Sequence, residues 1–165
     1  MTYQIIWNQL PKNLEDLQAL PQADLKTPEG TAALAVAALA VYPTNPEECY
    51  RMLNFLRGPR PLSVYEQQFI RDRFMDGKEY LVMSYFKGAT PSNNYTPNMP
   101  YTLEFSDSAA QFAEEGYKRF DIRSGGADSP RQITLRLKSS TGQWFLWEQY
   151  ILVGIRVPVS QDPWA

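Results

Sequence analysis

The chain has 165 residues, 44% of them hydrophobic and 21% charged, with a formal net charge of −2. That composition is globular and long enough to bury about two thirds of its unfolded surface as one domain spanning 1–165, and it supplies no basic field that would mark nucleic acid or an anionic membrane as a partner. There is no histidine and one cysteine, Cys49, which removes the commonest general base, the usual metal ligand, every Ser-His or Cys-His pair and any internal disulfide, and fits a reducing, cytoplasmic compartment.

Tyr3 to Trp7 (YQIIW) reads as a short strand with Tyr3, Ile5 and Trp7 on one face. Pro11 ends it, and Asn13 caps a short helix over Leu14 to Leu20, closed by Pro21. Residues 21–27 form a polar linker. Thr27 to Tyr42 (TPEGTAALAVAALAVY) is the most apolar run, with no charge after Glu29. Thr27 caps it, Pro28 occupies the first helical position, and Glu29 meets the positive end of the dipole. Leu34, Val36, Leu39 and Val41 point all round the cylinder, which predicts a helix buried on every side. Its rise of roughly 20 Å is too short for a hydrocarbon core of about 30 Å, so a membrane span is not expected.

Asn45 and Glu48 flank Pro46 in a capping-box arrangement and start a third helix with Cys49, Met52, Leu53 and Leu56 on one face; Gly58 is a left-handed cap and Pro59 stops it. Ser63 and Glu66 repeat that start for a fourth helix, with Tyr65, Phe69, Ile70 and Phe74 as its apolar side and Gly77 at its end. Glu79 to Phe86 (EYLVMSYF) is apolar on both faces and reads as a strand covered on both sides. Residues 87–100 (KGATPSNNYTPNMP) form a long loop. Tyr101 to Phe105 is a strand, Ala109 to Glu115 a single helical turn, and Tyr117 to Arg123 the next strand. Gln132 to Ser139 alternates, with Ile133, Leu135 and Leu137 inward and Thr134, Arg136 and Lys138 outward. A turn at 140–142 leads into Gln143 to Glu148, and Ile151 to Val157 closes the set. The tail, SQDPWA, is an extended surface segment. A run of helices followed by a run of strands predicts an α+β fold: a helical part at about 11–77 packed on an antiparallel sheet of five or six strands at about 78–158.

Chemistry is sparse. Glu104, Asp121 and Glu148 lie on predicted strands beside aromatics, where burial raises carboxylates, and a converging pair would suit glycoside hydrolysis; outward, solvated acids are the plainer account. Cys49 sits on an apolar stripe with nothing to activate it. No metal motif exists, and the glycines at 125–126 lack the surroundings of a nucleotide loop, so no cofactor is implied. Arg51, Arg57, Arg60, Arg71, Arg73 and Lys78 gather around the third and fourth helices; with Tyr80 and Tyr85 nearby they suit contact with phosphate or RNA, and helix dipoles and neighbouring acids are the plainer account. The loop at 87–100 exceeds the usual connection, and Asn93, Asn94, Tyr95, Asn98 and Met99 combine amides with an aromatic and a flexible apolar group, a mixture suited to a protein or peptide surface; Trp144 adds area. An idle connector is the competing account of that loop.

The stretch WFLWEQYILVGIRVPVSQDPWA, preceded by RQITLRLKSS, resembles the end of small uncharacterised bacterial domains of the Firmicutes type. The resemblance implies no catalytic or binding residue. The function expected first is therefore a non-catalytic binding or protein-interaction module. A carboxylate-based enzyme acting on a small or carbohydrate substrate, and an immunity-type or assembly protein, are the alternatives.

Overall fold

The structure, a computed structural model, describes residues 1–111 and 114–165. Four α-helices and five strands follow the order β1 (Thr2–Trp7), α1 (Leu14–Gln18), α2 (Pro28–Ala40), α3 (Pro46–Arg57), α4 (Val64–Phe74), β2 (Tyr101–Asp107), β3 (Tyr117–Ile122), β4 (Arg131–Lys138) and β5 (Gln143–Gln149) among the described residues. The strands form one antiparallel sheet in the order β1-β2-β3-β4-β5, so the fold is α+β. β1 pairs with β2, Ile5 opposite Leu103, which folds the N-terminus into the C-terminal sheet.

α2 lies at the centre. Thr27 Oγ1 accepts from the Gly30 N–H at 3.2 Å, and every residue from Gly30 to Leu39 is buried. Alanine-rich faces let α3 pack on one side and strands β4 and β5 on the other. Thr31 ties α2 to the sheet by donating its hydroxyl to the Trp144 carbonyl at 2.8 Å. No helix among the described residues is long and apolar enough to cross a membrane.

Several local expectations give way. Residues 79–86 are not a strand; they form turns with a 3-10 turn at Met83–Tyr85. Burial on both sides holds, since Tyr80, Leu81, Val82, Tyr85 and Phe86 are all in the core, but the backbone bonds are local, Ser84 N–H to Tyr80 O and Phe86 N–H to Met83 O. A run apolar at every position carries no period to separate a strand from other buried chain. Ile151 to Val157 is likewise not a strand. Ile151, Leu152 and Ile155 are buried, yet the Arg131 side chain takes the carbonyls of Val153 and Gly154 at 2.8 and 3.0 Å, and Gly154 turns the chain with φ +68°.

The 21–27 linker contains a 3-10 turn at Pro21–Asp24 and buries Leu25. Asn45 caps α3, but Glu48 reaches forward to Arg51 at 2.9 Å and not back to its cap. Gly58 has φ +59° with ψ −118°, outside the left-handed helical region. Of the α4 apolar set, Ile70 and Phe74 are buried while Tyr65 and Phe69 face solvent. Thr134 is buried, its hydroxyl accepting from Arg119 Nε at 3.3 Å. The helical turn expected over 109–115 includes Phe112 and Ala113, outside the described residues. The tail holds a 3-10 turn at Val159–Gln161 before an exposed Trp164.

Candidate functional site

β5 is an edge strand, and side chains of α4 and of the α3–α4 connection line a hollow beside it. The capping box of Ser63 and Glu66, reciprocal at 3.1 Å in each direction, fixes where α4 begins. That start places Tyr65 and Phe69, four residues apart, on the solvent side, 77% and 37% exposed. Across from them stands Tyr150, 49% exposed. Between lies a hollow of about 310 Å³ lined by Leu62, Tyr65, Phe69, Ile70, Trp147 and Tyr150.

Trp147 owes its position to a break in the ladder. Leu135 faces Leu146 while Thr134 faces Glu148, so Trp147 is the extra residue of a β-bulge. Bulges re-aim side chains at such places. The ring receives two guanidinium groups, Arg60 at 3.9 Å and Arg136 at 4.7 Å from its centroid, and Tyr117 meets it edge-on at 5.7 Å. Arg60 also donates to the Trp147 carbonyl. A second hollow of about 420 Å³ adjoins the first here, lined by Arg57, Arg60, Arg136, Lys138, Phe145 and Trp147 among others, and among the described residues no acid lines it.

Arg57 links the two hollows and is only 6% exposed. Its Nε donates to the Arg60 carbonyl at 2.9 Å, which holds the turn that carries Arg60. Its Nη2 lies 2.8 Å from Glu66 Oε2 without the alignment of a hydrogen bond, and no other acceptor meets that buried nitrogen. Burial lowers the Arg57 pKa and the Glu66 charge opposes the fall. Burial pushes the Glu66 carboxyl up, but the Ser63 N–H and the Arg57 charge outweigh it and hold Glu66 below the usual carboxylate range.

The residues expected from the 87–100 loop are dispersed. Asn93 spends its amide inside the loop, accepting from Thr90 N–H at 2.9 Å and donating to Gly88 O at 2.8 Å. Asn94 Oδ1 accepts from the Ser160 hydroxyl at 2.5 Å, fastening the loop to the tail. Tyr95 points inward: it is 2% exposed, stacks on Tyr80 with centroids 5.3 Å apart, and donates its hydroxyl to the Arg156 carbonyl at 2.6 Å. The Asn98 side chain covers Gly88, and its N–H donates to Lys87 O at 2.9 Å. Met99, 62% exposed, lines an open hollow with Leu10, Pro11 and Tyr101. Trp144 is half-buried against the core, with its N–H donating to Leu25 O at 2.7 Å.

The carboxylates do not assemble as acid and base. Asp121 faces Ser106 across the β2–β3 pair, so Glu104 is its diagonal neighbour, and both line a polar hollow with Lys87 and Arg123. Glu104, however, accepts from Lys87 and Gln4, each at 3.0 Å, and those bonds hold its pKa down, the opposite of what a general acid needs. Glu148 accepts from the Tyr150 hydroxyl at 3.0 Å on another strand. Cys49 is fully buried, and burial pushes its thiol up to about 12, far from a nucleophile's range. Among the described residues no three His, Cys, Asp or Glu side chains gather as a metal would require. The basic cluster also divides: Arg51 pairs with Glu15 and Glu48, whereas Arg57 and Arg60 join Arg136 and Lys138 from β4. Spacing along the chain could not reveal that union; the only signal was outward placement of Arg136 and Lys138 on an alternating strand.

A family model described as "Domain of unknown function (DUF6935)" matches residues 9–159. No curated protein and no solved structure matches the chain.

Proposed function

The chain belongs to this family of unknown function, and from that premise we propose that it is a non-catalytic binding module that seats a protein or peptide partner in the groove between α4 and β5. The observation that supports this is the convergence of Tyr65, Phe69 and Tyr150, all exposed, on one hollow floored by Trp147. Large aromatic side chains exposed together supply contact area at little conformational cost, and they sit beside fixed arginines, the mixture that dominates binding energy at interfaces. On this reading the module works as a single domain without a cofactor, in the cytoplasm of a Firmicutes-type bacterium. Asn98 and Met99 remain at the surface as a second contact at most, since Tyr95 is inward and Asn93 and Asn94 are engaged within the molecule.

Affinity capture from the native bacterium tests the groove when run with three baits: the wild-type chain, Tyr65→Ser with Phe69→Ser, and Asn94→Ala. A partner held by the wild type and by Asn94→Ala, and reduced at least about tenfold on the double variant, is the expected result. Equal recovery on the double variant refutes the groove. Loss on Asn94→Ala alone moves the site to the 87–100 loop.

A further inference from the structure

The second hollow carries an assignment of its own, independent of whether the α4 groove holds a partner. We infer that Arg57, Arg60, Arg136 and Lys138 form a binding site for a dianionic phosphoryl group.

The first reason is charge. The chain has more acids than bases, yet among the described residues four cations and no acid line one hollow of about 420 Å³. Glu66 balances Arg57, while Arg136 and Lys138 make no ion pair among the described residues. Like charges held together repel, and a bound anion offsets that repulsion.

The second reason is preorganisation. Arg60 and Arg136 rest against the Trp147 ring, and the Phe145 ring lies directly against Gly58, where a Cβ would fall 2.5 Å from it. The Trp147 ring is thus occupied as a support for cations and the Phe145 ring by Gly58, so neither is free as a stacking platform for nucleobases. Guanidinium forks fixed this way lose little freedom on binding.

Geometry then selects the anion. Donors come from the α3–α4 turn on one side and from β4 on the other, and more than one of the charges is uncompensated. A phosphoryl group, with three terminal oxygens and a charge near −2, matches that set better than a planar, singly charged carboxylate. The hollow has room for the organic part of a phosphate monoester beside the group itself.

The test is calorimetric titration of the full chain at low ionic strength with inorganic phosphate, phenyl phosphate and acetate. The expected result is saturable one-site binding of the two phosphates, the tighter of them showing whether free phosphate or a monoester is the fitting form. Binding weakens at least about tenfold in Arg136→Gln with Lys138→Gln, two exposed positions, with circular dichroism confirming that the variant is folded at the titration temperature, and it persists in Lys78→Gln, a control outside the hollow. Absence of saturable phosphate heat, equal affinity in the double variant, or acetate binding as tight as phosphate overturns the assignment.

Discussion

Gly58 stands where α3 turns toward β5, and its φ of +59° together with the Phe145 ring 2.5 Å from the site of a Cβ leaves no side chain tolerable there. Gly58→Ala is therefore expected to destabilise by about 2–4 kcal/mol, from backbone strain plus overpacking, read as a lower urea midpoint at unchanged slope. The same variant shifts Arg60 off Trp147, which a change in tryptophan fluorescence reports. The sequence shows that a helix ends at Gly58, because a glycine before a proline is a local signal. It hides the reason that matters for the site, because Phe145 lies far along the chain. Tyr95 carries the same lesson. An aromatic among asparagines reads as surface, yet it is packed between Tyr80 and Gly126, where a Cβ would lie 2.0 Å from its hydroxyl oxygen.

At the scale of the element, the helices were legible because their signals sit within three or four residues. Asn13, Thr27, Asn45 and Ser63 all cap as read, each accepting from the N–H three positions on. Ser63→Ala removes one half of the α4 capping box and is expected to cost about 1 kcal/mol in chemical denaturation. All five strands were legible, each within a few residues of its expected limits. The continuously apolar 79–86 and the half-apolar 151–157 were misread as strands, since burial alone does not dictate where backbone hydrogen bonds go.

At the scale of the molecule, several lowered carboxylates join separate parts of the chain, Glu66 and Asp107 among them. Glu66 holds α4 to α3 through Arg57, and Asp107 holds β2 to Lys118 at 2.9 Å, to Tyr3 at 3.1 Å and to the N-terminal amine at 3.4 Å. The Lys118 bond is the chief cause of the low Asp107 pKa. A carboxyl whose folded pKa lies below its unfolded value stabilises fully above the unfolded value, roughly pH 4, and loses that contribution as pH falls through the folded one. Stability measured by urea unfolding should accordingly decline from about pH 4 downward, and Glu66→Gln with Asp107→Asn should flatten that decline; an unaltered profile would show that these pairs do not couple folding to protons. The sequence by itself determined the helix starts, the dry central helix and the α+β class, because caps, periodicity and composition act over neighbouring residues. Tertiary structure alone decided that Arg57 and Arg60 meet Arg136, Lys138 and Trp147, and that Tyr95 turns inward, because such meetings follow from strand order, a β-bulge and close packing between segments far apart in the chain, which no local pattern encodes.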